Sequence, residues 1–494
     1  MNLGLLLEMV ASSFPDRPAV AGGDAALTYD QLHRRAQACA ERLVQGGFDS
    51  LVYCGPNDVT FPIALFGAAA AGVEFIPLNY RLADEQLQPL VEAHPGALVV
   101  AASPPVPGAD PERTIDRREL LAEPESTSAE EIELPPFVDP EDVAVVLYTS
   151  GTSGRPKAAW LRHRHLTAYV LGTVEFANAD DDQAALVTVP PYHIAGLANL
   201  LSNVYAARRI VYLDAFEAEV WLDTARSQAV TQAMVVPTML ARVVAHLDGE
   251  PADLPALRTL SYGGSRMPLP VLEQALELFG DTGFVNAYGL TETSSTIALL
   301  GPDDHAAARA GDPVARQRLG SVGKLLPGIE VEVRGPDDEM LAPSEPGLIF
   351  LRGEQVSGEY AGGSVLDEQG WFPTKDRGWV DADGYLFIEG RADDTIIRGG
   401  ENIAPAEIED VVARHPAVAD VVVVGVPDDE WGQRIAAVVV LAPGVAATAE
   451  ELQDYTRQHL RGSKTPDLVV FRAELPRTPT GKLLRREVLA DLAG

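Results

Sequence analysis

The stretch Val143–Lys157, VAVVLYTSGTSGRPK, joins a run of apolar residues to a loop of small polar residues that ends in a lysine. The apolar run has the length and composition of a buried β-strand. Glycines let a loop backbone approach a ligand closely, hydroxyl and N–H groups supply donors, and Lys157 supplies a positive charge. This combination suits a polyphosphate; the alternative is an ordinary turn.

Two well-known glycine-containing motifs do not fit this loop. Counted from Gly151, a Walker A motif needs its second glycine at the position of Pro156. A nucleophile elbow needs a glycine at the position of Arg155. The loop is therefore either a phosphate-binding loop of another kind or a turn.

Short apolar runs followed by Gly, Ser or Pro and then by a helix-like stretch recur along the first part of the chain. This alternation predicts an α/β fold with a doubly wound, mostly parallel sheet, whose ligands lie at the carboxyl ends of the strands. The runs are LVYCG from Leu51, ALVVAAS from Ala97, RIVYLDAF from Arg209, QAMVVPT from Gln232 and LRTLSYGGS from Leu257.

The sequence pattern changes after Gly320. Alternating runs and an Asp-Gly turn in DADGYLFIEGR predict a small antiparallel, barrel-like subdomain. After Arg391, two helical and two strand-like segments predict a separate α+β domain of about a hundred residues. The predicted domains are residues 1–391 and residues 392–494.

Composition excludes several classes of partner. The 494 residues carry a formal net charge of −34, which disfavours binding to nucleic acid or to an anionic membrane. No apolar run reaches transmembrane length. Cys39 and Cys54 lack metal-site spacing and are interpreted as reduced, buried thiols of a cytoplasmic protein.

Lysine is rare in this chain, which carries most of its positive charge on arginine. Two of the five lysines, Lys157 and Lys482, stand in loops flanked by Gly, Thr or Pro. A compact ammonium group differs from a guanidinium when it must insert among phosphate oxygens, although two such positions could also arise by accident. Both lysines are therefore candidate phosphate ligands.

Six motifs together resemble the signature of the adenylate-forming superfamily, which comprises acyl-CoA synthetases, peptide-synthetase adenylation domains and beetle luciferases. The resemblance covers nearly the whole chain, in the order and spacing of the family. The motifs are YTSGTSGRPK (148–157), PPYHIAGL (190–197), NAYGLTET (286–293), GWFPTKDRGWVDADGYLFIEGR (370–391), DDTIIRGGENIAPAEIE (393–409) and PRTPTGK (476–482).

The resemblance implies a large N-terminal domain, a mobile C-terminal domain and two half-reactions. In the first, an acid attacks the α-phosphate of ATP, which gives an acyl-adenylate and pyrophosphate. In the second, a thiol, usually that of CoA, displaces AMP. Because two anions must be brought together, charge neutralisation and positioning dominate the catalysis.

The resemblance also implies roles for individual residues at the nucleotide. The β- and γ-phosphates are assigned to Thr149, Ser150, Gly151, Thr152, Ser153, Gly154 and Lys157. The adenine slot is assigned to Gly263, Gly264, Ser265, Asn286, Ala287, Tyr288 and Gly289, with Tyr288 stacking on the base. The remaining assignments are Thr291 to the α-phosphate, Glu292 to Mg²⁺, Asp376 and Arg391 to the ribose hydroxyls, and Lys482 to the acid and the α-phosphate.

Further roles concern the acid, the thiol and the domain hinge. The acid pocket is assigned to Tyr192, His193, Gly196 and Asn199, with His193 as a gate; the alternative for His193 is a core histidine. The hinge is assigned to Asp393, and the thiol tunnel to Arg398, Gly399 and Gly400. The pocket residues are apolar to mildly polar and include no basic clamp, which favours an aryl or medium aliphatic acid over a dicarboxylate.

Four residues depart from the family pattern and leave alternatives open. They are Arg162, Lys375, Arg377 and Arg398, of which Arg398 either meets the CoA phosphates or crowds the thiol tunnel. Besides an acid–CoA ligase, the sequence is compatible with a diazotase-type enzyme that activates nitrite, with acyl delivery to a carrier protein, and with a nucleotide-binding pseudoenzyme. The expected partners are the acid, ATP and CoA, and the chain is expected to be a monomer or a homodimer.

Overall fold

The computed structural model describes residues 1–123, 134–135, 137–149, 156–428, 430–478 and 483–493. The strands of the N-terminal part are β1 Pro18–Gly22, β2 Ala25–Thr28, β3 Ser50–Cys54, β4 Glu74–Pro77, β5 Ala97–Ala101, β6 Thr114–Asp116, β7 Val143–Thr149, β8 Lys157–Arg162, β9 Ala184–Val187, β10 Arg209–Tyr212, β11 Gln232–Val235, β12 Thr259–Gly263, β13 Gly283–Leu290, β14 Ser295–Leu300, β15 Lys324–Leu325, β16 Glu330–Arg334, β17 Gly347–Arg352, β18 Glu359–Tyr360, β19 Gly363–Ser364, β20 Phe372–Val380 and β21 Leu386–Arg391.

The helices of the same part precede or connect these strands. They are α1 Leu3–Ser13, α2 Tyr29–Gln45, α3 Thr60–Ala71, α4 Asp84–Glu92, α5 His163–Thr173, α6 Ile194–Tyr205, α7 Ala218–Ser227, α8 Pro237–Leu247, α9 Leu269–Leu278, α10 Pro302–Arg309 and α11 Pro313–Arg318.

Two large sheets form the N-terminal part. Sheet A has the strand order β15-β14-β13-β12-β11-β9-β10-β1-β2, and sheet B has the order β19-β18-β8-β7-β4-β3-β5-β6. Neighbouring strands run parallel from β1 to β13 across the middle of sheet A and from β7 to β6 in sheet B. The pairs at both edges of sheet A and at the β19 edge of sheet B are antiparallel. The predicted α/β fold with mostly parallel, doubly wound sheets is confirmed.

Helices packed between the sheets close the main core. One cluster of buried side chains combines residues of α1, α2, α3 and α6 with residues of strands in both sheets. The sequence of helix α2 explains its place in this core. Thr28 and Gln31 form a capping box that starts the helix, and Leu32, Ala36 and Leu43 recur along its buried face. All five residues of β3 are buried, as in a parallel strand covered on both sides.

The antiparallel region expected after Gly320 is a four-stranded sheet with the order β16-β17-β20-β21, called sheet C. The predicted Asp383-Gly384 turn connects β20 to β21, with Gly384 at a φ of 84°. Sheet C places Asp376, on β20, opposite Arg391 at the end of β21.

The C-terminal unit has the predicted α+β composition. Strands β22 Ile396–Arg398 and β23 Glu401–Ile403 form a hairpin, and β24 Val418–Asp428, β25 Gly432–Leu441 and β26 Leu468–Phe471 form a three-stranded sheet. Its helices are α12 Pro405–Val412, α13 Ala449–His459 and α14 Arg485–Ala493. The boundary between residues 391 and 392, and the mobility of this unit, remain predictions.

Other sequence expectations can be compared with the structure. Cys39 and Cys54 are free and buried, and burial raises the pKa of both thiols to about 12, so both are protonated, inert side chains. In the described part of the chain, no helix combines the length and apolar character that crossing a membrane requires.

Candidate active site

The predicted phosphate loop lies between two paired strands. Strand β7 ends at Thr149 and β8 begins at Lys157, and these two residues are antiparallel partners. A strand follows the loop where many phosphate loops have a helix, so a helix dipole is not available here. The assigned loop residues Ser150, Gly151, Thr152, Ser153 and Gly154 lie outside the described residues.

A tyrosine that the sequence analysis did not assign joins Lys157 to Glu292. The Lys157 ammonium lies 5.6 Å from the centre of the Tyr360 ring, and the Tyr360 hydroxyl donates a hydrogen bond to Glu292 Oε1. Burial and the nearby Glu292 carboxylate raise the pKa of Tyr360 above its usual range. An ammonium, a phenol and a carboxylate therefore meet at the end of β8.

The surroundings of Glu292 fit a magnesium ion that takes most of its ligands from phosphate and water. The Glu292 carbonyl accepts hydrogen bonds from the backbone N–H of Ser357 at 2.8 Å and from its hydroxyl at 3.2 Å, which fixes the backbone of this residue. No group of three or more metal-binding side chains occurs among the residues that the structure describes. A single carboxylate beside a polyphosphate matches how Mg²⁺ is usually held.

The residues assigned to the ribose come together around a buried carboxylate. Arg391 Nη1 donates to Asp376 Oδ1 at 2.9 Å and to the Thr374 carbonyl at 2.7 Å, and the Tyr288 hydroxyl donates to Asp376 Oδ2. Asp376 is 5% exposed, and burial together with the Asp376 charge raises the pKa of Tyr288 well above its usual value. Because each carboxylate oxygen can accept a second hydrogen bond, a pair of ribose hydroxyls can still bind.

The two segments assigned to the adenine lie side by side. Strands β12 and β13 are parallel neighbours, with Gly263 opposite Ala287 and Tyr262 opposite Asn286. A Cβ atom on Gly263 would lie 2.2 Å from the Ala287 carbonyl oxygen, so only glycine allows this approach. The structure thus brings together the ends of both strands, which carry the residues Gly264, Ser265, Tyr288 and Gly289.

Thr291 and Glu292 share one turn of 3-10 helix, Thr291–Thr293, which follows β13 directly. Thr293 holds this turn: its hydroxyl accepts from the Leu290 N–H at 2.9 Å and donates to the Ser295 carbonyl at 2.8 Å. The turn thereby positions the residue assigned to the α-phosphate between the nucleoside and metal residues.

The four residues assigned to the acid pocket lie on one segment, the loop after β9 and the first turns of α6. The rings of Tyr192 and His193 are 4.6 Å apart, and the His193 carbonyl accepts from the Gly196 N–H at 2.9 Å at the start of α6. The Asn199 side-chain oxygen accepts from Asn203 at 2.7 Å. His193 is half-buried, so its surroundings are those of a pocket rim more than of a core.

The residues assigned to the thiol tunnel form a tight hairpin turn in the C-terminal unit. Arg398 pairs with Glu401, and Gly399 and Gly400 between them have φ values of 57° and 81°. The Arg398 guanidinium contacts Asp467 at 2.6 Å and the Ser463 carbonyl at 2.8 Å, so residues of the C-terminal unit hold this side chain. Asp393 lies in the short turn Ala392–Asp394 that follows β21, and Lys482 lies outside the described residues.

Comparison with known proteins assigns the chain to a family. Residues 7–361 match the family model of the AMP-binding enzyme, and residues 407–482 match that of the AMP-binding enzyme C-terminal domain. The chain belongs to the AMP-binding enzyme family.

Named relatives of this AMP-binding enzyme cover almost its full length. Feruloyl-CoA synthase from Amycolatopsis sp is 35% identical over 96% of both chains. Fatty acid–[acyl-carrier-protein] ligase ScoC from Streptomyces coeruleorubidus is 33% identical over 96% of this chain and 93% of its own. The o-succinylbenzoate CoA synthetase MenE from Bacillus subtilis, solved with the acyl-adenylate OSB-AMP, has a TM-score of 0.83 and 29% identity over 98% of this chain and 97% of its own; it has also been solved with ATP and a magnesium ion.

The departures of this AMP-binding enzyme from the family pattern have structural partners. Arg162 forms a two-point ion pair with Glu359, with Nε–Oε1 and Nη2–Oε2 distances of 3.0 and 2.6 Å. Arg377 pairs with Glu389 at 3.0 Å on the neighbouring strand. Lys375 has a φ of 62°, in the left-handed region that favours glycine.

Tyr360 and Glu359 could not be recognised from the sequence. They lie 68 and 197 positions from the residues they contact, Glu292 and Arg162, and they occupy a strand of only two residues. The only signal was a tyrosine beside a glutamate ahead of a Gly-Gly turn, which is too common to be specific.

Proposed function

We propose that the chain is an ATP-dependent, AMP-forming ligase that adenylates a carboxylic acid and transfers the acyl group to CoA. The observation that carries this proposal is the nucleotide site, in which the Asp376–Arg391–Tyr288 cluster and the Lys157–Tyr360–Glu292 cluster belong to a chain of the AMP-binding enzyme family. The first cluster suits a ribose, and the second suits a polyphosphate with its cation.

In the first half-reaction, a carboxylate oxygen of the acid bonds to the α-phosphorus and the bond to the pyrophosphate oxygen breaks. Lys157 neutralises charge on the leaving pyrophosphate, and Thr291 binds the α-phosphate. Lys482 bridges the acid and the α-phosphate as charge shifts between them. These contacts act mainly on the transition state and lower the barrier by electrostatic stabilisation.

In the second half-reaction, the sulfur of CoA bonds to the acyl carbon and the bond to AMP breaks. Rotation about Asp393 replaces Lys482 at the site by the Gly399–Gly400 turn, beside which the pantetheine arm passes. The same nucleotide site thus serves two reactions in succession.

The acid is an aryl or medium aliphatic acid, and a relative named feruloyl-CoA synthase supports the aryl choice. Neither nucleic acid nor an anionic membrane is a partner, since the chain carries a net charge of −34. The chain acts in the cytoplasm as a monomer or homodimer. A carrier protein as the acyl acceptor is the second candidate, because one relative is named a fatty acid–[acyl-carrier-protein] ligase.

Pyrophosphate release against a panel of acids and nitrite, with and without CoA, tests the proposal. We expect at least one acid to trigger pyrophosphate release without CoA, and we expect AMP-forming thioester synthesis when CoA is added. Thioester formation on a loaded carrier protein but not on CoA would support the second candidate. Release with nitrite and an arylamine only would indicate a diazotase, and nucleotide binding without any turnover would indicate a pseudoenzyme.

A further inference from the structure

Tyr192 carries a buried hydroxyl group for which the described residues offer no partner. The residue is 6% exposed, and no hydrogen bond to its hydroxyl occurs in the described part of the chain. Its ring contacts His193 at 4.6 Å and meets the Tyr80 ring edge-on at 6.0 Å. Since buried hydroxyl groups nearly always have a partner, this one indicates a partner that is not part of the described chain.

The state of this hydroxyl makes it a hydrogen-bond donor. Burial raises the pKa of Tyr192 to about 12, so the proton stays on the oxygen at neutral pH. A protonated phenol can donate as well as accept, so this hydroxyl can donate its proton to an acceptor such as an oxygen atom of a ligand.

A positive charge lies at the same place. Arg81 packs over the Tyr80 ring at 5.4 Å and donates to the Tyr80 hydroxyl at 3.2 Å, and its charge is near enough to Tyr192 to oppose the rise in that tyrosine's pKa. No basic group was expected near the acid pocket from the sequence. Tyr80 and Arg81 follow β4, and Tyr192 follows β9, so the carboxyl ends of strands from both sheets meet here.

A second unpartnered polar atom lies against the same loop. Asn57, which is 3% exposed, donates from Nδ2 to the Val189 carbonyl at 2.6 Å, three residues before Tyr192. Because this bond uses the amide nitrogen, Oδ1 is the atom left without a partner among the described residues. A ligand at this loop would therefore meet polar groups as well as rings.

We infer that Tyr192 is a specificity-determining residue, whose hydroxyl donates a hydrogen bond to an oxygen substituent of the acid other than the reacting carboxylate; the part of the acid that carries this substituent is called its remote end. This inference rests on the proposed function. The substituent is a hydroxyl or a second carboxylate, because the oxygen atoms of both groups accept hydrogen bonds. The positive charge of Arg81 strengthens binding of the carboxylate. Acids with a wholly apolar remote end are the poorer substrates.

Pyrophosphate exchange with matched acids tests this role. The acid found by the screen is compared with analogues that carry a hydroxyl, a carboxylate or hydrogen at the remote end. Tyr192→Phe is expected to lower kcat/KM about 10- to 100-fold for the oxygen-bearing acids and to leave the apolar analogue nearly unchanged. Arg81→Gln is expected to affect only the carboxylate analogue.

Tyr212→Phe is the matched control, because Tyr212 is also a buried tyrosine whose hydroxyl has no partner in the described part of the chain. This variant should keep the parent's preference among the acids. Two results would overturn the inference and leave the proposed function standing. One is an equal loss of kcat/KM for all analogues in Tyr192→Phe. The other is a parent enzyme whose kcat/KM is no higher for the oxygen-bearing acids than for the apolar analogue. A parent enzyme that exchanges pyrophosphate with no acid would refute the proposed function itself, and with it this inference.

Discussion

At the scale of a single residue, the Asp376 carboxylate is predicted to bind the ribose hydroxyls of ATP. It is buried and accepts hydrogen bonds from Tyr288 and Arg391 on its two oxygens. Asp376→Ala is expected to weaken ATP binding about 10- to 100-fold, because hydrogen bonds to a charged group are worth about 1.5–3 kcal/mol each. Titration calorimetry with ATP measures the change.

The same variant identifies the hydroxyl groups that Asp376 binds. In a double-mutant cycle, 2′-deoxy-ATP should lose less affinity with Asp376→Ala than ATP does. Asp454→Ala, which removes an exposed partner of Arg457 in the C-terminal unit, serves as the control and should bind both nucleotides like the parent. Independent effects of the residue and the hydroxyl would contradict the assignment to the ribose.

Lys482 is assigned to the chemical step and not to ATP binding. Lys482→Ala is expected to slow adenylation about 10²- to 10³-fold, the usual effect of removing one electrostatic contact to the transition state. The dissociation constant of ATP should stay near that of the parent. Lys464→Ala, which breaks an ion pair with Glu407 in the same unit, is the control and should adenylate normally. Near-normal pyrophosphate release by Lys482→Ala would contradict the role.

The residues that the sequence could predict differ physically from those it missed. Asp376, Arg391 and Tyr288 stand in motifs whose order and spacing are specific, and the structure brings all three together. Tyr360 and Arg81 stand in no such motif and reach the site only through strand pairing and loop packing. A contact between residues far apart in the chain leaves no local pattern when a single side chain makes it.

At the scale of elements, an ion pair contributes to holding β18 against β8. Tyr360 of this two-residue strand lies opposite Ala159 of β8, and Arg162 at the end of β8 contacts Glu359. The two side chains are 25% and 18% exposed. Glu359→Gln is expected to lower the free energy of unfolding at pH 7 by about 1–3 kcal/mol, which urea denaturation measures.

The pH dependence of this effect has a definite sign. The hydrogen bond from Arg162 lowers the pKa of Glu359 below its ordinary value. The stabilisation is therefore complete above the ordinary carboxyl pKa and is lost as the pH falls through the lowered value. The stability difference between the parent and Glu359→Gln should shrink over that range, whereas the exposed control Glu354→Gln should show little difference at any pH. A difference that stays constant on acidification would contradict the ion pair's contribution.

Long strands were predictable and short ones were not. The buried parallel strands β3, β5 and β7 are runs of five to seven residues, long enough for an apolar pattern to be read. The short strands β6 and β18 are three and two residues long, too short for an apolar pattern to be recognised. Such short strands are fixed by their neighbours in the sheet, not by their own composition.

At the scale of the whole molecule, an ion pair joins the two units. Arg266, directly after the residues assigned to adenine, forms an ion pair with Asp410 on α12 of the C-terminal unit. Both units were predictable because each has its own apolar pattern. Their arrangement was not, because a contact between single side chains of the two units leaves no pattern in the sequence. The proposed rotation of the C-terminal unit would break this ion pair.

The turn at Gly399 and Gly400 offers a test of that rotation. Both residues have positive φ, as in the tight turns of two-residue hairpins. A Cβ atom on Gly400 would have no neighbour within 4 Å, so a larger side chain fits here apart from its backbone strain. If the pantetheine arm of CoA passes this turn after rotation, Gly400→Leu should abolish thioester formation and still exchange pyrophosphate into ATP with the cognate acid.

Gly444→Leu is the matched control for this last prediction. Gly444 has a φ of 75°, also has no neighbour within 4 Å of a Cβ atom, and lies in the same unit, so it carries the same strain without the assigned role. The control should retain both half-reactions, which quenched-flow assays of AMP and thioester measure separately. Loss of pyrophosphate exchange in Gly400→Leu, or equal losses in both variants, would indicate a folding defect. If the pantetheine arm passes this turn, a leucine side chain at position 400 misplaces the sulfur, and a misplacement of about 1 Å costs about 100-fold in rate. Normal thioester formation in Gly400→Leu would therefore show that the thiol reaches the adenylate by another path.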